Sequence, residues 1–323
     1  MRTYRYVGLF SLLCFSYFAL AESDSVKYGE GRRDSGLPVE DDCKIINEAL
    51  AAAQTGFGAS FTLTPLAPNQ AWNCKSPVVI GQNNHVIIPA GVKVVNKQKG
   101  PVFVLSGNHA RLSGDGLVEA TTDSCLIQIG DSIRNTLWAR VSGLRLRGSD
   151  NGTAVCFSGK STGGGVTYWN KIIDVHAERF DTFTFVPDGV NGQQFHGVDV
   201  QRIGKVVYDI EGNEVQILGG SIHFSADVLV HRFAGRINIS TGVVAEPGGT
   251  SHFVRYETGS SRNQMIGVAN TSGGNIDNGK NNSYMLQNNL KLGQSRLGFY
   301  SAEPIVQPGT NADIYTNGLA LAP

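Results

Sequence analysis

The stretch IDVHAERF, residues 173–180, alternates apolar and titratable side chains, as expected of a half-buried β-strand. Related phrases recur as SGLRLRG (142–148), GVDVQRI (197–203), SIHFSAD (221–227), GVVAEPG (242–248) and GVANTSGG (267–274). Aligning the phrases puts one apolar residue at a shared inward position: Leu144, Val175, Val198, Ile222, Val243 and Val268. The steps between these positions are 31, 23, 24, 21 and 25 residues. One strand repeated with loops of varied length predicts the stacked coils of a parallel β-helix.

The rest of the chain agrees with an all-β fold that has one short helix at its start. The segment DDCKIINEALAAAQTG (41–56) has apolar residues at helical spacing, and Asp41 or Asp42 can cap its first turn. From about residue 76 the chain reads as short apolar runs separated by Gly, Asn, Asp and Ser. A β-sandwich would also have short strands, but it would not repeat one phrase at the same point of every turn. We therefore predict a β-helix over 40–290 and a tail over 291–323.

Composition narrows the classes of partner. The 323 residues carry a formal net charge of zero, which argues against nucleic acid and against a polybasic membrane surface. Only 17% of residues are charged and 40 are glycine, which indicates many turns and few solvated helices.

The first 21 residues have the three parts of a secretory signal. Arg2 and Arg5 form a basic start, Val7 to Phe18 is apolar, and Ala19-Leu20-Ala21 fits a cleavage site. The alternative is an uncleaved anchor. We expect a flexible leader over 22–39 and a secreted, periplasmic or extracellular protein without membrane insertion after cleavage.

Four cysteines follow the predicted signal, and an even number in an exported chain permits two disulfides. Cys43 and Cys74 are 31 residues apart, as are Cys125 and Cys156, so both pairings are local. Free thiols buried in the core are the alternative. None of the four has the spacing of a metal-thiolate site.

Several segments resemble the pectate-lyase-like superfamily of right-handed parallel β-helices. They are DDCKIINEALAAA (41–53), VVIGQNNHVIIPAGVKVV (78–95) and HARLSGDGLVEA (109–120). The resemblance implies the fold, including its handedness, and leaves the reaction open. FHGVDVQRIGK (195–205) superficially resembles elements of polygalacturonase-type hydrolases, but their Asn-Thr-Asp and Asp-Asp elements are missing from the coils, so we carry over no catalytic residue.

The segment SRLGFYSAEPIVQPG (295–309) resembles a tail motif of phage receptor-binding and tailspike-type proteins. That resemblance implies a homotrimer acting on surface polysaccharides, although a signal peptide suits a secreted bacterial relative better than a virion protein.

Side chains of a strand alternate, so the residue after each inward position should face outward. The first outward column is then Arg145, His176, Asp199, His223 and Val244. The next outward column is Arg147, Glu178, Gln201, Ser225 and Glu246. The column before them is Gly143, Asp174, Gly197, Ser221 and Gly267, whose small members would leave a shallow groove. With strands about 4.8 Å apart, these columns would bring the titratable groups together.

Such a surface suits polysaccharide chemistry. A lyase needs a base for the proton beside a uronate carboxylate and a cation, either Arg or Ca²⁺, to neutralise that carboxylate. A hydrolase needs two carboxyl groups, and Asp199 with Glu178 or Asp174 is the close acid pair. The predicted catalytic residues are His176, Glu178, Asp199 and His223. The predicted substrate-binding residues are Arg145, Arg147, Asp174, Gln201, Arg202, Tyr168 and Trp169.

Plainer interpretations stay open for each of these residues. Stacked opposite charges also form ordinary cross-strand pairs, and Tyr168 and Trp169 could be core residues rather than sugar-stacking ones. The sequence predicts a secreted enzyme, a lyase or a glycoside hydrolase, acting on an acidic extracellular polysaccharide. The alternatives are a non-catalytic glycan-binding or adhesive module and a trimeric, tailspike-like fibre. No cofactor is required by the sequence, and Ca²⁺ stays open.

Overall fold

A computed structural model of the protein describes residues 41–52, 58–160, 164–269, 276–288, 313–316 and 319–320. The predicted signal (1–21), the leader (22–39) and the tail motif (295–309) lie outside the described residues, as do 161–163 and 270–275.

The described residues contain one helix and 26 strands, which are joined by turns. The helix α1 (Asp42–Ala52) comes first, followed by β1 (Ser60–Thr62), β2 (Trp72–Cys74), β3 (Val78–Ile80), β4 (His85–Ile87), β5 (Lys93–Asn96), β6 (Phe103–Leu105), β7 (Arg111–Ser113), β8 (Leu117–Ala120) and β9 (Cys125–Ile129). The middle of the chain has β10 (Thr136–Leu137), β11 (Arg140–Ser142), β12 (Arg145–Arg147), β13 (Thr153–Phe157), β14 (Thr167–Tyr168), β15 (Lys171–Ile173), β16 (His176–Val186), β17 (Gln194–Ile210) and β18 (Gln216–Ala226). The last strands are β19 (Leu229–Phe233), β20 (Ile239–Gly248), β21 (His252–Tyr256), β22 (Gln264–Ala269), β23 (Ile276–Asp277), β24 (Ser283–Asn288), β25 (Asp313–Thr316) and β26 (Leu319–Ala320).

The strands stack in parallel on three faces, and this confirms the predicted parallel β-helix. The first face runs through β1, β4, β7, β11 and β15 into the starts of β17, β18, β20 and β22. The second face runs through β2, β5, β8, β12 and the start of β16 into the middle of β17, β18 and β20. The third face runs through β3, β6, β9 and β13, the ends of β16 and β17, and then β19 and β21. Two short pairings stand apart, parallel β10–β14 and antiparallel β25–β26.

The core forms where apolar side chains of all three faces meet, because each coil can bury them only against its neighbours. Leu144, Val175 and Val198 are buried and occupy equivalent positions of successive coils, as predicted. Ile222 is also buried, but it pairs with Val200 rather than Val198. The predicted alignment is therefore wrong by two residues at Ile222.

The last step of the predicted repeat also needs correction. Val243 is opposite Gly267, and Val268 is opposite Val244, so Val268 stands one position away from its predicted alignment. A register shift between Thr241 and Val243 accounts for the difference.

The turn that leads into the first face is held by buried side-chain amides. Asn238 accepts a hydrogen bond from the backbone N–H of Val215 at 2.8 Å, and its own N–H donates to Asn263 Oδ1 at 2.9 Å. Asn263 continues the series by donating its N–H to Asn282 Oδ1 at 3.1 Å. Buried polar groups are stable only when hydrogen-bonded, so this amide column fixes the turn and the side chains projecting from it.

The N-terminal helix covers the end of the core. Its side chains Ile46 and Leu50 are buried against the core. Before its first turn, Asp41 Oδ1 accepts hydrogen bonds from the N–H of Cys43 at 3.1 Å and of Lys75 at 2.9 Å. The helix is confirmed from Asp42 to Ala52, and its predicted continuation to 56 lies outside the described residues. No helix in the described part of the chain has the length and hydropathy of a membrane span.

Both predicted disulfides are present, Cys43–Cys74 and Cys125–Cys156, so the alternative of free thiols is wrong. Each bond joins one coil, or the helix, to the next. Disulfides of this kind persist in oxidising compartments, which agrees with an exported protein.

Candidate functional site

The titratable residues of the second face lie in two outward columns. Register pairs place Arg145 beside His176, His176 beside Asp199, and Asp199 beside Ser221. Two residues further along, the neighbours in order are Glu119, Arg147, Glu178, Gln201, His223 and Glu246. The buried alternate residues Leu146 and Ala177 hold these side chains outward.

His176, Asp199 and Ser221 form a connected polar group across three strands. His176 Nδ1 lies 2.8 Å from Asp199 Oδ2, and the Ser221 hydroxyl donates to Asp199 Oδ1 at 2.7 Å. A carboxylate can only accept, so the Nδ1 atom carries the hydrogen and Nε2 of the neutral ring keeps its lone pair. No hydrogen bond to Nε2 is found within the described residues. The arrangement orients a histidine with its basic nitrogen available.

Glu178 belongs to a separate ion-pair chain on the same face. Its Oε1 atom accepts from Arg147 Nε at 2.5 Å, Arg147 also lies 3.9 Å from Glu119, and Glu119 pairs with Lys93 at 3.0 Å. Burial alone would raise the pKa of Glu178, but the hydrogen bond and charge of Arg147 outweigh it and lower that pKa. Glu178 is therefore held as a carboxylate.

The structure corrects the predicted position of His223 and Ser225. His223 is opposite Gln201 and Glu246, in the second column, while Ser221 takes the predicted place of His223 beside Asp199. Ser225 is buried, where its Oγ accepts from the N–H of Ile203 at 2.9 Å, so its predicted outward position is wrong. The two-residue difference removes His223 from the Asp199 pairing but leaves it on the second face.

The residues of the strip beside the first column differ from the prediction, because Gly219 takes the place predicted for Ser221. The register of the flanking residues places Gly197 opposite Gly219. Gly219 has φ of 65° and open space where a side chain would project. Asp174 stands at the corner before His176 with φ of 50°, and its carboxylate faces Gly197. The small residues keep this strip low beside the His176–Asp199 pair.

The predicted arginines have different roles. Arg147 is committed to Glu178, whereas Arg145 and Arg202 are exposed and form no ion pair within the described residues. Arg145 is the register neighbour of His176, and Arg202 follows Gln201 at a left-handed position with φ of 53°. These two are the cations of the second face available to an anionic ligand.

Tyr168 and Trp169 lie away from the second face, at the turn before β15. Trp169 is 47% exposed, so the core interpretation of this residue is wrong, while Tyr168 is half-buried with its ring edge against Trp169. Trp169 stacks on Trp138 at 5.6 Å, and Trp138 stacks on His109 at 5.2 Å between ring centroids. We call His109, Trp138 and Trp169 the aromatic stack.

A row of cations on the first face was missed by the sequence reasoning. Arg111, Arg140 and Lys171 are register neighbours on β7, β11 and β15, and we call them the basic stripe. The signal was in the sequence, because HAR (109–111), WAR (138–140) and WNK (169–171) repeat one aromatic–small–cation phrase. The aligned strand phrases start at residue 142, so the first two copies precede them.

A second ion-pair cluster lies on the third face. Arg232 contacts Asp209 at 2.6 Å, Glu211 at 3.3 Å and Glu257 at 3.0 Å. Burial raises the pKa of Asp209, against the lowering effect of Arg232, and the neighbouring Glu211 and Glu257 add to the increase. One arginine thus neutralises part of a three-carboxylate group, which is a structural arrangement between β17, β19 and the turn after β21.

No group of three or more metal-ligating side chains is found in the described residues.

Comparisons with known proteins bear on the fold. No protein-family model matches the chain, and no curated protein matches it. The structure is similar to the tailspike protein of E. coli bacteriophage HK620 in complex with pentasaccharide, with a TM-score of 0.46 and 10% identity over 77% of this chain and 60% of that one. It is also similar to ORF18 of Geobacillus virus E2, with a TM-score of 0.46 and 14% identity over 78% of this chain and 59% of that one.

The chain thus spans about 60% of the solved proteins it matches. With TM-scores below 0.5 and identities of 10% and 14%, these likenesses carry no argument about the chemistry of the second face.

Proposed function

We propose that the protein binds and cleaves an acidic extracellular polysaccharide on the second face, with His176 as the general base. The observation that carries the proposal is the 2.8 Å contact of His176 Nδ1 with Asp199, whose other oxygen is held by Ser221. A base fixed by a carboxylate is a recurring arrangement for proton transfer. Membership of the pectate-lyase-like superfamily is part of this proposal.

The reaction that these groups support is elimination at a uronic acid. His176 Nε2 takes the proton beside the sugar carboxylate, and the electron pair of that C–H bond forms the new carbon–carbon double bond. The glycosidic oxygen leaves the next carbon with its bonding electron pair and takes a proton from water. Arg145, next to His176 and without an ion pair in the described residues, neutralises the carboxylate as negative charge develops. Arg202 is a second candidate for the same role.

Hydrolysis is less well supported by the same residues. A glycoside hydrolase needs a protonated carboxyl group near the scissile bond. Arg147 lowers the pKa of Glu178 against the effect of burial, and Asp199 is occupied by His176 and Ser221. The face therefore supplies a base and cations more readily than a general acid.

Ultraviolet absorbance of the unsaturated product tests the proposal on polygalacturonate, alginate and glycosaminoglycans, alongside a reducing-end assay. We expect product formation, and a loss of about 10²- to 10⁴-fold in rate for His176→Ala and Asp199→Ala. His252→Ala, on the third face, is the matched control and should keep the rate. Full activity in His176→Ala would overturn the assignment, and new reducing ends without absorbance would indicate a hydrolase.

Non-catalytic glycan binding is the second candidate function. It is favoured by the exposure of the face, where the side chains of His176 and Asp199 are 29% and 38% exposed. Glycan binding without product from any of the polymers would support this candidate. A homotrimeric, tailspike-like fibre is a variant of it, in which neighbouring subunits would complete the site.

A further inference from the structure

The basic stripe is an uncompensated row of charge. Arg111, Arg140 and Lys171 are exposed, lie on adjacent strands, and have no ion pair within the described residues. With strands about 4.8 Å apart, the three cations span roughly 10 Å along the axis of the β-helix. Like charges directly opposite one another on a sheet are destabilising, so the row opposes folding unless an anion neutralises it.

Polar side chains continue the column of the stripe at both ends. His85 is the register neighbour of Arg111, and its ring bonds Ser113 Oγ at 2.7 Å. Burial lowers the pKa of His85, and the charges of Arg111 and Arg140 lower it further. At the other end the column continues with the half-buried amides of Gln194 and Gln216, which can bond hydroxyl groups.

The aromatic stack runs parallel to the stripe, two residues before each cation. Trp138 and Trp169 are 46% and 47% exposed, and their planes differ by 19°. The ring faces are turned toward one another, and the Trp169 ring also lies against Gly192. What solvent meets is therefore a continuous apolar strip of ring edges beside a row of cations.

We propose that the basic stripe and the aromatic stack together bind a linear acidic polysaccharide that lies along the axis of the β-helix. The row supplies one cation per coil. The spacing between coils is similar to the distance between successive sugar residues in a polymer. The apolar strip adds contact area for the sugar rings, and the amides of Gln194 and Gln216 extend the contact. The inference concerns binding alone, so it stands on this surface whether or not the second face is catalytic.

Single-stranded nucleic acid is the competing polyanion, and two observations count against it. Bases stack on open aromatic faces, whereas the faces of this stack are covered by one another and by the chain at Gly192. The chain as a whole has a formal net charge of zero, which gives little long-range attraction for a polyphosphate.

Intrinsic fluorescence offers a direct binding assay, because two of the three tryptophans flank the stripe and Trp72 is buried. The full mature chain would be titrated with polygalacturonate, with neutral dextran of matched length and with a single-stranded oligonucleotide, at several salt concentrations. The test variant is the triple substitution Arg111→Gln, Arg140→Gln and Lys171→Gln. The charge-matched control is Arg236→Gln, Arg262→Gln and Lys280→Gln, three exposed cations of later coils.

We expect polygalacturonate to bind the wild type and the control equally, and to bind the stripe variant roughly tenfold or more weakly with a shallower salt dependence. Equal binding by the stripe variant, or an equal loss in the control, would overturn the inference. Binding of dextran as tight as that of polygalacturonate would also overturn it, and tighter binding of the oligonucleotide would replace it with the nucleic-acid interpretation. The rate of elimination by the stripe variant is also measured, at saturating polymer. This rate tests the proposed function of the second face separately from binding to the stripe.

Discussion

His176 and His231 lie on different faces of the same β-helix, and the two histidines have very different surroundings. His176 projects from the second face and bonds a carboxylate at 2.8 Å. His231, on β19 of the third face, is fully buried, stacked on Tyr208 at 5.2 Å, with its nitrogens 3.2 Å from the Phe253 carbonyl oxygen and 3.1 Å from Ser240 Oγ. The first is accessible to solvent beside a carboxylate, and the second fills and fixes the core.

The difference comes from the partners that each face supplies. Burial lowers the pKa of His231 to about 3, which the hydrogen bond to Phe253 only partly opposes, so the ring is neutral at ordinary pH. A buried neutral ring contributes packing and two hydrogen bonds, whereas an exposed ring beside a carboxylate contributes little to stability and remains available for chemistry. Stability and function should therefore separate between the two residues.

The largest effect is expected from truncating the buried ring. His231→Ala should cost about 2–5 kcal/mol of unfolding free energy, because it opens a cavity beside Tyr208 and Phe233 and leaves the Ser240 hydroxyl without its partner. Urea denaturation with the disulfides intact measures the change.

His176→Ala is the matched variant, and it should cost less than about 1 kcal/mol because its hydrogen bond to Asp199 is partly exposed to solvent. Similar costs for the two variants would break the contrast between the faces. If His231→Ala does not fold, His231→Asn gives the same comparison with a smaller cavity.

The pH dependence of stability should be the next largest effect. Since the pKa of His231 is lowered from 6.5 to about 3, the unfolded chain takes up a proton below pH 6.5 that the folded chain refuses. The contribution of His231 is complete above pH 6.5 and should fall by up to about 1.4 kcal/mol per pH unit as the pH decreases toward 3.

Urea midpoints measured from neutral pH down to about pH 5 test this sign and size. His231→Asn should flatten the profile, while His176→Gln, which removes a histidine of the second face, should leave most of the slope. A wild-type slope that survives in His231→Asn would show that other groups control acid sensitivity.

The smallest effect distinguishes two serines four residues apart. Ser225→Ala should cost about 1 kcal/mol, because the buried N–H of Ile203 loses its acceptor. Ser221→Ala should cost less than about 0.5 kcal/mol, since solvent can replace its hydroxyl beside Asp199. The reverse order in thermal or urea unfolding would contradict the observed register.

The sequence predicted the fold through the length of its coils but could not fix every register. The steps from Leu144 to Val175 and to Val198 were right because one alternating phrase recurs without interruption. The next predicted step, from Val198 to Ile222, was wrong, because Gly220 lies opposite Val198. Gly219 and Gly220 both have positive φ, and the strand reaches this position two residues earlier than the alignment predicted. A two-residue slip keeps inward residues inward, so apolar alternation carries no signal against it.

The candidate site was predicted in part for the same reason. The pairing of His176 with Asp199 follows from the coils whose register was right. The role of Ser221 and the displacement of His223 follow from the coil whose register was not. Tyr168 and Trp169 were grouped with the second face because they are near it in sequence, but β15 and the corner at Asp174 separate them from it.

The two disulfides also decide how the protein responds to a mechanical load. Each closes a loop with a sequence separation of 31 residues, so tension applied at the chain ends passes through the sulfur atoms and bypasses the residues between them. An extended chain spans at most about 3.3–3.6 Å per residue, so each bond conceals on the order of 100 Å of contour length. The coils between Cys74 and Cys125 and those beyond Cys156 can still be peeled away and extended in full while both bonds remain oxidised.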